Sequence, residues 1–366
     1  MFCLGTFVYT DAIPQEAAAG LPPGHSQFTS DYTSAVKAAQ GEPMRKLLPC
    51  ILLLSLLLPG CGNKQPVVQE AFLLDTFVSV TLYDGDEEQA QGALDLCRSY
   101  EDIFSRTDPD SELYRLNHRE ITQVSDDLAE VIALGLDYAA RTGGAFDITT
   151  GSITSLWDFS AEAPQIPDPA AVSEGLTHVG WEKVDLSGNT VTFSDPGTMI
   201  DLGGIAKGYI ADRMANYLRQ EGVTSAIIDL GGNLYCLGTK PGGDPFQVGI
   251  QYPYEDRQTV IGSLPASDLS VVTSGVYERC FTVDGKLYHH ILDTSTGYPV
   301  ENDLLSVTIV SDASVDGDAL STACFALGLE EGVALIENTE GAEAVFVTDD
   351  FATHITSGLT DIFQST

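Results

Sequence analysis

Apolar and polar positions set the elements along the chain. Residues 72–83, rich in Phe, Val, Thr and Leu, read as a strand. Residues 86–104 switch to helical spacing, with Leu94, Cys97 and Phe104 on one stripe. Asp110 or Ser111 can cap a short helix through Leu116. Ser125 caps the next, which carries Leu128, Ile132 and Ala139 and stops at Gly143-Gly144. A Pro- and Ala-rich loop is predicted over 161–171. A helix is predicted over about 204–220, ending at Gly222, and a strand over 225–229 runs into Gly231-Gly232. Residues 268–310 read as several short strands. Asp316 can cap a helix with Ala319, Leu320, Ala323 and Leu327, closed by Gly328. Helices and strands mix without strict alternation. This predicts an α+β fold, a mixed or antiparallel sheet core with packed helices.

One stretch breaks this globular texture. After Met44, Arg45 and Lys46 precede a run over 47–58 that is apolar except for Pro49 and Ser55. It is shorter than the ~20 apolar residues a membrane-spanning helix needs. It has the layout of a secretory signal, and Leu58-Pro59-Gly60-Cys61 resembles a bacterial lipobox, with Cys61 as the lipidated residue. The expected organisation is an upstream extension over 1–43 with the true start at Met44, a lipoprotein signal over 44–60, a lipidated tether over 61–70 and one domain over 71–366. The expected location is the extracytoplasmic face of the cell membrane, held by the lipid.

Charge narrows the partners. With 17 basic against 53 acidic side chains the chain carries −36. Such a surface repels nucleic acid and anionic headgroups. A phosphate-bearing ligand must therefore meet a local positive device. Beyond Cys61, the cysteines Cys97, Cys236, Cys280 and Cys324 lack paired metal-ligand spacing and are expected to be isolated thiols.

Three clusters can carry chemistry. Asp201-Leu202-Gly203-Gly204-Ile205-Ala206-Lys207-Gly208 opens a helix. Its glycines let backbone N–H groups approach a ligand, and the helix start and Lys207 favour an anion. An ordinary strand-to-helix turn with a solvated lysine is the other reading. Asp318 and Thr322, four apart on a helix, share a face and suit Mg²⁺, which takes hard oxygen ligands; a dipole partner and a back-bonded hydroxyl are the alternative. His289-His290-Ile291-Leu292-Asp293 sets histidine beside carboxylate, which suits a general base or a ligand-orienting group; a solvated outward-facing histidine is the other reading. Strand alternation would put His290 and Leu292 on one face and His289 and Ile291 on the other. Serine hydrolase and zinc protease signatures are absent.

In order along the chain, these clusters resemble the FAD:protein FMN transferase (ApbE) family. The match joins Asp75-Thr76-Phe77, Asp110-Ser111-Glu112 with Asn117, Gly144-Ala145-Phe146-Asp147, Leu156-Trp157, the Asp201 segment and Gly231-Gly232. It continues through Thr273-Ser274-Gly275, Tyr277-Glu278-Arg279, His290-Ile291 with Asp293, Thr296-Gly297-Tyr298-Pro299, and Asp318-Ala319 with Ser321-Thr322-Ala323. The resemblance implies a FAD site contacted by Ala145, Phe146, Asp147, Asp201, Lys207, Tyr277, Arg279 and Ile291. It implies Mg²⁺ held by Asp318, Thr322 and a main-chain oxygen near Gly204. Leu74 stands where the family usually has Met near the flavin, and Thr107 where many members carry Tyr or Trp. The implied activity is Mg²⁺-dependent transfer of FMN from FAD to a Thr or Ser hydroxyl, releasing AMP. The acceptor would be an extracytoplasmic flavoprotein domain in a membrane redox complex, and His290 would take the hydroxyl proton. Hydrolysis of FAD to FMN and AMP, and a non-catalytic flavin-binding lipoprotein, are the alternatives.

Overall fold

The computed structural model describes Val8–Tyr9 and Gln65–Thr366, apart from residues 256 and 257. The expected signal segment, the lipidated Cys61 and the upstream extension lie outside the described residues.

An eight-stranded antiparallel sheet forms the centre. Its strands run, edge to edge, Thr353–Ile355, Ala342–Thr348, Leu304–Ser311, Leu269–Gly275, Asn233–Gly238, Ser225–Leu230, Thr76–Leu82 and Val67–Leu73. Alternation sends successive side chains to opposite faces. Ile228, Tyr235, Leu237, Val307, Ile309 and Phe346 join a core with the helices Glu87–Phe104, Asp126–Arg141, Ala206–Gln220 and Ser314–Leu327. Ile227, Cys236, Val271, Val310 and Val345 join a second core with the strands Phe246–Gln251 and Val260–Ala266. A sheet covered on both faces explains why Leu304–Ser311 is buried at every position.

Capping follows the sequence closely. Asp86 caps Glu87–Phe104 with a reciprocal Gln89 box, Ser111 caps Glu112–Asn117, and Ser125 caps Asp126–Arg141. Gly328, at φ 82°, closes Ser314–Leu327.

Four expectations need correcting, and the fold runs further than the elements read from sequence. The single strand over 72–83 is a hairpin, turning at Leu74 (φ 55°) and Asp75 (φ 56°). No Asn-Gly or Asp-Gly signal marks that turn. Its first strand starts at Val67, so residues 67–70 belong to the sheet and not to a tether. The loop over 161–171 gives way to the helix Pro169–Leu176, which Asp168 caps and proline starts. Asp316 does not cap the helix Ser314–Leu327. It lies in the first turn and accepts from Tyr138 Oη at 2.5 Å, while Asp212 accepts from the N–H groups of Ser314 and Val315 at 2.8 and 2.9 Å. The helix Leu329–Glu337 and the strand Ala342–Thr348 extend the fold beyond the elements read from sequence. As expected, Cys97, Cys236 and Cys324 are buried free thiols, each pushed up to about 12 by burial.

Candidate active site

Two helix starts meet at the site. Gly208 lies in the first turn of Ala206–Gln220, and a Cβ there would come 2.3 Å from the Ser314 carbonyl oxygen. Only a hydrogen permits this approach. The contact brings Asp318, buried in the second turn of its helix, to the start of the other helix. Its Oδ2 accepts from Gly208 N at 3.0 Å and its Oδ1 from Lys207 Nζ at 3.1 Å. Thr322, one turn on, lies on the same side. A Cβ on Gly204 would sit 3.5 Å from Thr322 Oγ1 and 3.1 Å from the Phe146 ring. The glycine turn, the carboxylate, the hydroxyl and the lysine thus form one cradle.

The turn itself is held from below. Asn117 clasps Ile200, accepting from its N–H and donating to its carbonyl, both at 2.8 Å. Asp201 accepts from Gly203 N at 2.9 Å and Thr154 Oγ1 at 2.6 Å, and pairs with Arg106 Nε at 3.1 Å. These contacts shape the turn. Asp147 does likewise for its loop. Its buried carboxylate accepts from Thr149 N and Oγ1 and from Trp181 N, and burial raises its pKa. Thr294 Oγ1 donates to the Gly144 carbonyl at 2.7 Å, tying that loop to the turn after His290. Ala145 continues the loop, its N–H donating to Thr142 O at 3.2 Å. The Phe146 ring is a buried wall, edge-on to Tyr138.

The remaining expected residues fall on two sides. Arg279 is exposed; its Nη2 donates to the Asp75 carbonyl at 3.5 Å, which sets the hairpin tip beside the site. Leu74 is half-buried there, its N–H held by Glu101 Oε1 at 2.7 Å. Tyr277 is buried against Gly275 and edge-on to exposed Tyr254. Ile291 points into the main core. Thr107 is exposed and pairs with Ser105, while its neighbour Arg106 reaches Asp201.

The histidines separate, although the strand ends at His289 and does not run on. His289 is buried, with Nε2 3.0 Å from the Val300 carbonyl and its ring edge-on to Phe325. It therefore holds the fold. His290 is half-buried, and its shielded Nδ1 has no hydrogen-bond partner among the described residues. Burial, then the positive Arg279, pull its pKa down to about 3, so the ring is neutral.

Sequence reasoning gave no role to Arg106, Tyr254 or Glu278. Burial raises Glu278 to about 7, against the opposing pull of Lys207 and Arg279. Its place between Tyr277 and Arg279 was the available signal. For Arg106 the signal was scarcity, one of 17 basic side chains lying next to a motif.

Comparison with known proteins agrees in sequence and in fold. The ApbE family model matches residues 74–346. A FAD:protein FMN transferase of Klebsiella pneumoniae is 38% identical over 283 residues, 76% of this chain and 88% of that protein. One from Treponema pallidum is 36% identical over 284 residues, covering 73% and 78%. The crystal structure of the ApbE protein from Thermotoga maritima superposes with a TM-score of 0.74 at 31% identity, covering 81% of this chain and 99% of that one.

Proposed function

This chain belongs to the ApbE family and is a FAD:protein FMN transferase, and from that premise we propose how its residues divide the work. The observation that carries the proposal is the cradle of Gly204, Lys207, Asp318 and Thr322 at two meeting helix starts.

FAD's pyrophosphate lies at this cradle. Backbone N–H groups at a helix start favour anions, and Lys207 is the nearest cation. Mg²⁺ fits the donor set: a buried carboxylate, a hydroxyl and the main-chain oxygen near Gly204 are all hard oxygens. Asp318, Thr322 and Gly204 would hold it, and when bound it supplies charge neutralisation on the phosphate oxygens. Three protein oxygens leave places for water and phosphate, as Mg²⁺ prefers.

Phosphoryl transfer asks the protein for positioning and charge more than for covalent help. The acceptor's Thr or Ser oxygen bonds to the phosphorus of the FMN half. The P–O bond to AMP breaks, and AMP carries away that electron pair. The neutral His290 takes the hydroxyl proton. A pyrophosphate placed beside it raises the imidazole pKa from its low resting value, because a nearby negative charge favours the charged ring. Arg279, at the hairpin tip, offers a second cation on the flavin side.

Residues 44–60 direct export and Cys61 carries the lipid, which holds the enzyme on the extracytoplasmic face beside acceptor domains of a membrane redox complex. The layout Arg45-Lys46, apolar run and Gly60-Cys61 supports this. Cys61→Ala should move the protein from the membrane to the soluble fraction.

The central test incubates the protein with FAD, Mg²⁺ and an apo-flavoprotein domain, read by intact mass and AMP release. An FMN adduct with one AMP per adduct is expected. Free FMN forming equally fast with and without acceptor would instead mean hydrolysis.

A further inference from the structure

The hairpin beside the site carries an exposed apolar face that the chemistry above does not use. Val68, Phe72 and Phe77 are 52%, 64% and 57% exposed, and the two phenyl rings meet edge-to-face with centroids 5.5 Å apart. They lie opposite each other across the pairing Phe72↔Phe77, on the face turned away from buried Leu73, Thr76 and Val78. Strand Val67–Leu73 is also an edge of the sheet. Glu70, exposed between Val68 and Phe72 on that face, is the kind of charge edge strands ordinarily carry, whereas two adjacent large aromatic side chains at a surface mark an interaction site.

From these observations we infer that the Phe72–Phe77 pair docks the acceptor polypeptide, seating the segment around its target hydroxyl. The inference rests on the transferase reading. Continuity with the site picks the occupant. Phe77 is two residues from Asp75, whose carbonyl takes the Arg279 guanidinium, and Thr76 packs on the Gly231 turn. The reaction requires a second protein at this mouth, and this face adjoins it. A net charge of −36 disfavours an anionic bilayer as the occupant. Apolar contact, in contrast, needs no charge complementarity. The turn supports the placement: Leu74 and Asp75 both adopt the left-handed conformation, and Glu101 pins Leu74 N, so the tip is a fixed ledge.

The test compares the wild type with Phe72→Ser/Phe77→Ser in three measurements. One is transfer from FAD to an apo-flavoprotein domain that the wild type modifies, varied in concentration. The others are FAD affinity and FAD cleavage without acceptor. The acceptor KM should rise about tenfold or more, as loss of an aromatic interface anchor does. Maximal turnover, FAD affinity and acceptor-free cleavage should hold. Unchanged transfer at low acceptor would overturn the inference. A parallel fall in FAD affinity would also overturn it and make the face a flavin platform. Loss of binding to phosphatidylcholine vesicles with the acceptor KM unchanged would assign the face to lipid instead. A wild type that cleaves FAD yet modifies no acceptor would sink the transferase reading itself, a separate result.

Discussion

Asp318 joins two roles that sequence alone kept apart. Read from spacing, it was a metal ligand or a dipole partner. In the fold it is buried and accepts from Lys207 and Gly208. Asp318→Ala should therefore abolish turnover and also cost about 1–3 kcal/mol, because it strands a buried backbone donor. Asp318→Asn keeps an acceptor for Gly208 and should be as inactive with less loss of stability. Calorimetry beside a turnover assay separates the two effects, and activity in Asp318→Asn at saturating FAD would refute the metal assignment. His290→Asn should lower turnover by about 10²–10⁴ and leave FAD bound. His289→Asn should keep turnover but lose about 1 kcal/mol with the Val300 bond. The pH dependence has a definite sign. His290 titrates near 3 when folded and near 6.5 when unfolded. Between those values the unfolded chain binds the extra proton, so stability is full above about 6.5 and falls as pH drops. His290→Asn should flatten the melting temperature between pH 6.5 and 4; an unchanged slope would mean the ring is not held neutral. That Gly204, Lys207, Asp318 and Thr322 come together in the fold was legible in the motifs. What else holds each carboxylate was not, because Asp147 and Asp201 also take partners distant in sequence.

Helix caps are local chemistry, which is why Ser111, Ser125 and Gly328 could be read from the chain. Asp316 misled because the start of Ser314–Leu327 is capped from another helix, by Asp212. No spacing rule reports such a partner. The hairpin at Leu74-Asp75 was hidden for a related reason. Its turn residues are not the usual ones, and tertiary contacts hold them, including Glu101 on Leu74 N. Gly208 makes the same point at the site. In sequence it was one glycine of a phosphate-binding pattern; in the structure it also lets two helix starts touch. Gly208→Ala should push the Ser314 carbonyl away, at about 1–3 kcal/mol for overpacking. It should also move Asp318 off Lys207. Turnover should drop by more than tenfold while secondary structure by circular dichroism stays intact. Full activity in Gly208→Ala would show that the helix contact does not set the site.

At the scale of the whole molecule, the dominant fact is a charge of −36 facing a substrate with an anionic pyrophosphate. The general field repels FAD over long distances, whereas Lys207 and Arg279 attract it only at contact. Salt acts on these two effects differently. The Debye length falls from about 30 Å at 0.01 M to about 8 Å at 0.15 M ionic strength. Over that range the long-range repulsion is largely screened, while half-buried Lys207 beside its ligand is screened much less. Raising ionic strength from 0.01 to 0.15 M should therefore increase kcat/KM for FAD several-fold, chiefly through KM. Near 1 M, where the Debye length is about 3 Å, contact pairs weaken too and the gain should reverse. Neutralising Lys207 as Lys207→Gln should keep the initial rise and lower the whole curve, since that change removes the local attraction but hardly alters the total charge. Steady-state FAD titrations across the salt series, at fixed Mg²⁺, measure this directly. A kcat/KM that falls from the lowest salt onward would mean that FAD feels a positive approach path, and that the acidic surface is arranged away from the mouth.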